Sequence, residues 1–231
     1  MSESLQLFQV FQDVDECLVN SVIEHTRWTP IVAKAMGLDW PDEEIPDYET
    51  VCAKGGTHAA FGHLPRYHDI NKKLRENVAF NTELPPIEGA KEALLELFNL
   101  GLFGKYLTTR PSFMAKPTAD WLASMGLPNI EVIARPDEVP LEQTTQWKLG
   151  VLVEEHERTG IPIVMIDDSK SMRDAIHKLD HPHIVGVVYD GPMTPKGNGE
   201  MKWRDIKNLL LNATSWAMLA EAVKAKGVEI Q

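Results

Sequence analysis

Between Ile87 and Tyr189 the sequence alternates two patterns, and that alternation leaves few folds open. Ala90 to Leu100 is apolar at helical spacing, with Leu94, Leu97 and Phe98 on one face and Gly101 in the place of a C-cap. Leu102 to Leu107 reads as a strand. Thr118 to Met125 reads as a helix entered by Pro117 and closed by Gly126. Ile130 to Ile133 is a strand, Thr145 to Thr159 a helix closed by Gly160, and Ile161 to Ile166 a strongly apolar strand. Met172 to Leu179 is a helix and Ile184 to Tyr189 a strand, with a last helix near Trp216 to Lys224. Strands alternating with helices predict an α/β fold, a Rossmann-like parallel sheet with helices on both faces. In such sheets ligands bind at the carboxyl ends of the strands. The residues just past each strand are therefore the ones to inspect.

The first strand is expected over Leu5 to Phe11. It leads directly into Asp13 and Asp15, two carboxylates at i and i+2. Alternation puts such a pair on one side of an extended chain. Two neighbouring acids repel unless a cation or a shared proton holds them. After Leu107 come Thr108, Thr109 and Arg110. After Ile166 come Asp167, Asp168 and Ser169, and Lys148 lies in the helix before that strand. Acids, hydroxyls and a lysine at one sheet edge suit a phosphate monoester. Carboxylates and phosphate offer the oxygen ligands magnesium takes. A carboxylate can also attack phosphorus, while hydroxyl, backbone N–H and ammonium groups neutralise the phosphoryl oxygens.

Residues 20 to 84 break the regular pattern. They carry helix-like patches, one from Val22 to Met36, and are punctuated by Pro41, Pro46 and Pro65 before Pro85 and Pro86. Lys54 to Arg75 gathers five Lys/Arg and three His against one acid, Asp69. That stretch is either a solvated helix face or an attractor for an anionic ligand.

The formal net charge of −11 argues against nonspecific binding to nucleic acid or to a membrane surface. No apolar run approaches the roughly 18 residues of a membrane span. Two cysteines, Cys17 and Cys52, build no disulfide framework, and the expectation is a reduced, cytoplasmic protein. Cys17 reads as a packed small side chain rather than a nucleophile. Oligomeric state is not legible.

The four stretches around Asp13, Thr108, Lys148 and Asp168 resemble, in order, the four motifs of the haloacid dehalogenase-like (HAD) phosphohydrolases. Asp13-Val14-Asp15-Glu16-Cys17-Leu18 is similar to motif one. Leu107-Thr108-Thr109-Arg110-Pro111 is similar to motif two, Lys148 to the motif three lysine, and Ile163 to Asp168 to the double-acid form of motif four. The resemblance implies a HAD-like core over residues 1 to 19 and 85 to 231, with a small, mainly helical cap over 20 to 84.

It also implies roles. Asp13 is the nucleophile and a metal ligand. Asp15 is the general acid/base, with its backbone carbonyl on the metal. Thr108 and Lys148 hold the phosphoryl group, with Thr109 competing for the place of Thr108 and Arg110 beside them. Asp168 is a further Mg2+ ligand, and Asp167 sits at the first or second rank around the ion. Apart from the resemblance, the basic cluster of Arg66, Lys72, Lys73 and Arg75 hints at a second anionic group, and Arg66, His63 and Lys72 are the cap residues expected to reach substrate. The implied activity is a magnesium-dependent phosphatase for a small-molecule phosphate ester. Dehalogenases of this superfamily lack the acid at the place of Asp15; sugar phosphomutases keep it. A phosphomutase, a catalytically silent phosphate-binding module and a phospho-accepting receiver are the competing readings, the last disfavoured by chain length and by the insertion after Asn20. Glu16 departs from the motif, and Met172 stands where a further acid is common.

Overall fold

The computed structural model describes residues 7 to 191 and 200 to 228. β1 (Gln9–Gln12) leads into five helices: α1 (Ser21–Ala35), α2 (Tyr48–Ala53), α3 (Thr57–Phe61), α4 (Tyr67–Arg75) and α5 (Val78–Asn81). There follow α6 (Ala90–Asn99), β2 (Phe103–Pro111), α7 (Ala115–Ser124), β3 (Val132–Arg135), α8 (Thr144–Thr159), β4 (Ile163–Asp167), α9 (Lys170–Leu179), β5 (Ile184–Val188), α10 (Trp203–Leu211) and α11 (Trp216–Val228). The five strands form one parallel sheet in the order β3-β2-β1-β4-β5. The α/β prediction therefore holds.

Strand alternation sorts the core into two layers. Val10, Tyr106, Val164, Ile166, Val185 and Val187 pack with α6, α7, α10 and α11 through Leu94, Leu97, Leu122, Ile206, Leu210 and Leu219. Their neighbours Phe11, Leu107, Ile163, Met165 and Ile184 pack with α8 and α9 through Leu152, Met172 and Ile176. Every residue of β1 is buried, as expected for the central strand of a sheet covered on both faces. Gly104 of β2 is dictated by that packing, because a Cβ there would lie 3.1 Å from Gln9 Oε1 and 3.2 Å from Val10 O.

The five helices after β1 build a separate apolar cluster from Val22, Ala33, Trp40, Val51, Phe61, Leu64, Tyr67, Ile70 and Leu74. The segments entering and leaving this helical unit lie side by side. Val19 bridges Pro86, Asn20 N–H donates to Pro85 O at 2.9 Å, and Ile87 N–H donates to Leu18 O at 2.9 Å. Among the described residues no helix is long and apolar enough to cross a membrane.

The differences from the sequence expectations have local causes. The first strand begins at Gln9 rather than Leu5, and Leu5 and Gln6 lie outside the described residues. β2 runs on to Pro111 instead of stopping at Leu107, with a break in its register against β3 between Thr108 and Pro111. β3 sits two residues later than expected, at Val132–Arg135. Helix α7 begins at Ala115, so Pro117 lies within its first turn, where a missing N–H costs nothing. Helix α10 was not anticipated, although Trp203, Ile206 and Leu210 form an i, i+3, i+7 stripe.

Trp203 ties this late helix to the start of the chain, its buried Nε1–H donating to Cys17 O at 2.8 Å. Trp203→Phe keeps most of the apolar contact but leaves that buried carbonyl without its donor. It should destabilise the fold by about 1–3 kcal/mol, read from urea midpoints at unchanged slope.

Candidate active site

The site grows from the ends of β1, β2 and β4. Asp13 follows Gln12 directly and its N–H donates to Ile166 O at 3.0 Å, which locks the end of β1 to β4. Asp13 Oδ1 accepts the Val14 N–H at 2.9 Å. At the end of β4, Asp167 Oδ1 accepts the Ser169 N–H at 2.8 Å. Ser169 caps α9 through a 3.3 Å bond from Met172 N–H. From α8, Lys148 inserts its Nζ between the two strands, 3.0 Å from Asp13 Oδ1 and 2.8 Å from Asp167 Oδ2. All three side chains are buried.

Asp13, Asp167 and Asp168 each present a carboxylate oxygen within 4.8 Å of the others. Burial, with the charges of Asp167 and Asp15, pushes Asp13 up to about 7 against the pull of Lys148. Burial and the neighbouring charges of Asp167, Asp13 and Glu16 hold Asp168 well above the usual carboxylate range. Burial alone would lower Lys148, but Asp13 and Asp167 outweigh it and hold the ammonium firmly protonated. Three converging hard oxygen donors, with only one cation among them, suit a divalent ion of the magnesium type.

Asp15 is not part of this triad. Its carboxylate turns to Arg110, with Oδ2 accepting from Nε at 2.9 Å and Oδ1 from Nη2 at 2.8 Å. Burial would raise Asp15, but the Arg110 guanidinium prevails and holds it below the usual range. Arg110 Nη1 also donates to Asn81 O at 3.0 Å and to Thr118 Oγ1 at 3.2 Å, and its guanidinium carbon lies 5.2 Å from the Trp121 ring centroid. Thr108 is fully buried, its Oγ1 accepting the Arg110 N–H at 3.3 Å. Thr109 lines the cavity above the acids.

That cavity has a volume of about 860 Å3 between the sheet edge and the helices after β1. Asp13, Asp15, Lys148, Asp167 and Asp168 form its floor, and His58, His68, Asn71, Lys72 and Arg75 its far wall. Of the three cap residues singled out from the sequence, the structure brings in Lys72 alone. Arg66 and His63 are exposed and do not line the cavity. The reason is helical phase. Tyr67, Ile70 and Leu74 turn α4 onto its own apolar cluster, and Arg66 stands before its first turn, paired outward with Asp69 at 3.0 Å.

Two further residues complete the site: Glu16, which the sequence marks as a departure from the motif, and His25, which was not anticipated. Glu16, with φ 61°, turns back and caps α1, its Oε1 accepting from Ser21 N–H at 2.8 Å, Ser21 Oγ–H at 2.6 Å and Val22 N–H at 3.0 Å. Burial pushes Glu16 up to about 7 in spite of those donors. His25 lies on the buried stripe Val22, His25, Thr29 and Ala33 of α1, edge-on to Phe80. Burial, with the Arg75 charge, pushes it down to about 4. A polar residue on an otherwise inward stripe was the available signal. Cys17 is fully buried, and burial with the surrounding carboxylates holds its thiol protonated.

No protein-family model matches the chain, and no curated protein does. Solved structures do. CbbY of Rhodobacter sphaeroides, a mutant in complex with xylulose-1,5-bisphosphate, is 18% identical, with a TM-score of 0.56 over 92% of this chain and 99% of its own. A putative β-phosphoglucomutase from Thermotoga maritima is 19% identical, with a TM-score of 0.55 over 89% and 99%. A HAD-superfamily hydrolase from Geobacter sulfurreducens is 19% identical, with a TM-score of 0.54 over 91% and 100%. The chain thus has a HAD-like fold, with an acidic cluster at the carboxyl edge of its sheet.

The depressed His25 gives a stability signature. Its folded pKa of about 4 lies below the ordinary 6.5, so the unfolded chain binds more protons in that window and stability falls as pH drops through it. In His25→Phe this contribution is absent. Relative to the variant, wild type should lose up to about 3 kcal/mol between those two pH values, by denaturant titration at each pH.

Proposed function

We propose that this protein is a divalent-cation-dependent phosphatase acting on a small phosphate monoester through an aspartyl phosphate on Asp13. The observation that carries this reading is the convergence of Asp13, Asp167 and Asp168 around a buried lysine, at the floor of a cavity whose opposite wall carries Lys72 and Arg75 beside Glu76. Asp13, Asp168 and Asp167 would hold Mg2+, which when bound neutralises phosphoryl oxygens and orients the phosphate.

The protein groups then divide the work. Lys148 holds Asp13 in place and adds positive charge beside the incoming phosphate. An Asp13 oxygen attacks phosphorus, the bond from phosphorus to the ester oxygen breaks, and that oxygen takes a proton from Asp15. Water then attacks the aspartyl phosphate as Asp15 takes a proton back, releasing inorganic phosphate and restoring Asp13. Arg110 keeps Asp15 ionised in the resting site; a phosphate dianion competing for that guanidinium raises the proton affinity of Asp15, which takes up from solvent the proton it then gives to the leaving oxygen. Thr109, which lines the cavity at the end of β2, completes the phosphate cradle with Arg110, while the enclosed Thr108 supports the turn through the Arg110 N–H. The helices over residues 20 to 84 act as a cap that closes over substrate, and Lys72 and Arg75 receive a second anionic group. Two free cysteines suit a reducing, cytoplasmic setting.

Lys72 and Arg75 on the far wall also favour a second reading, a sugar phosphomutase, because a bisphosphate would reach both ends of the cavity. Release of inorganic phosphate rather than transfer to a second hydroxyl separates the two. Absence of magnesium-dependent turnover over a broad panel of phosphate esters would leave a phosphate-binding module.

With an aryl phosphate and Mg2+, Asp13→Asn should show no turnover while its circular dichroism is unchanged. Asp15→Asn should lower kcat by about 10²–10⁴. Full activity in Asp13→Asn would exclude the nucleophile assignment. Chelation with EDTA should stop turnover and added Mg2+ restore it. Since Asp13 sits at about 7, Mg2+ should bind more tightly as pH rises through that value, measured by calorimetry on either side of it.

A further inference from the structure

Three imidazoles meet at the opposite end of the sheet, away from the acids. His156 comes from the last turns of α8, and His181 and His183 from the loop between α9 and β5. The ring centroids of His156 lie 5.0 Å from His181 and 4.9 Å from His183, and those of His181 and His183 are 6.1 Å apart. His156 Nδ1 lies 2.9 Å from Ile161 O. A carbonyl only accepts, so Nδ1 carries the hydrogen and Nε2 keeps a lone pair. That Nε2 faces His183 Nδ1 at 3.2 Å.

From this geometry we infer a binding site for a borderline transition-metal dication, of the Zn2+ class, with His156 Nε2 and His183 Nδ1 as its first two ligands. Two nitrogens each about 2.0–2.1 Å from a tetrahedral zinc stand roughly 3.3 Å apart, close to the spacing already present. The backbone carbonyl behind His156 is the outer partner that fixes the tautomer of a ligating histidine. Without metal, the His183 Nδ1–H donates to His156 Nε2. When a cation enters, that hydrogen moves to His183 Nε2, with no net proton released. His181 lies beside the pair, its Nδ1 accepting the His183 N–H at 3.1 Å, and water completes the coordination of the ion. The Glu157 carboxylate, whose charge already acts on His181, adds a negative charge beside the site.

The site is held ready by its surroundings. His183 O accepts the Ile163 N–H at 2.8 Å, His181 O accepts the Ile184 N–H at 3.4 Å, and Pro182 O accepts the Trp216 Nε1–H at 2.8 Å. The loop is pinned between β4, β5 and α11 before any cation arrives. Nitrogen donors select Zn2+, Ni2+ or Cu2+ over Mg2+, so this site and the acid cluster differ in their metals.

Titration of the full chain with Zn2+, in the presence of saturating Mg2+, should show one bound zinc. The double variant His156→Ala, His183→Ala should weaken that binding by more than about tenfold, with magnesium-dependent turnover and the zinc-free melting temperature unchanged. Zinc affinity equal to wild type in the double variant, or lost instead in Asp168→Asn, would place the ion on the acids and overturn the proposal. No zinc uptake by wild type under excess Mg2+ would overturn it as well.

Discussion

The Lys148 ammonium between Asp13 and Asp167 is the interaction on which the rest of the site depends. Two carboxylates at the ends of adjacent strands, both buried, would drive β1 and β4 apart or take up protons. One cation from α8 lets them stand together. Removing a single partner from such a buried set is costly, because the others are left uncompensated. The arrangement also leaves a deficit of positive charge. Lys148 serves two acids, and among the described residues Asp168 lies next to both without a cation of its own. The proposed divalent ion would offset that deficit.

Arg110 plays the corresponding part between the sheet and the helices above it. One guanidinium binds Asp15, the Asn81 carbonyl at the end of α5 and Thr118 on α7, and lies against the Trp121 ring. Glu16 works in parallel, leaving the site loop to cap α1. The two connections mean that a charge arriving at the acids is felt in the helical unit. His25 shows the same coupling, buried on α1 yet sensitive to Arg75, Asp15 and Arg110. The electrostatics of the acidic cluster and the helical unit over residues 20 to 84 are thus joined through three side chains as well as through the backbone.

The two ends of the sheet carry different chemistry. Hard oxygen donors gather at the carboxyl edge, where parallel strands point their loops into a common crevice. Imidazoles gather at the other edge, in the turns that feed β4 and β5. Helix α8 touches both, with Lys148 near its start and His156 near its end.

The sequence by itself determined the sheet and which strand ends carry acids. Apolar runs between amphipathic stretches permit little else, and Asp13, Thr108, Lys148 and Asp168 each follow from a strand or helix readable in one dimension. It also placed the helical interruption between residues 20 and 84. Tertiary structure alone decided the partners. That Asp15 faces Arg110 rather than the other acids, that Glu16 caps a helix, and that Thr109 reaches the cavity while Thr108 is enclosed are matters of turn geometry, which has no periodicity to read. Cap contacts were equally hidden, because the phase of α4 around its axis is set by the cluster it packs on. Lys72 lies on the side of α4 that faces the cavity, whereas Arg66, the N-cap before its first turn, faces solvent. Strand and helix patterns record where apolar surface must go; which polar groups meet depends on how the packed elements are rotated, and only the folded core fixes that rotation.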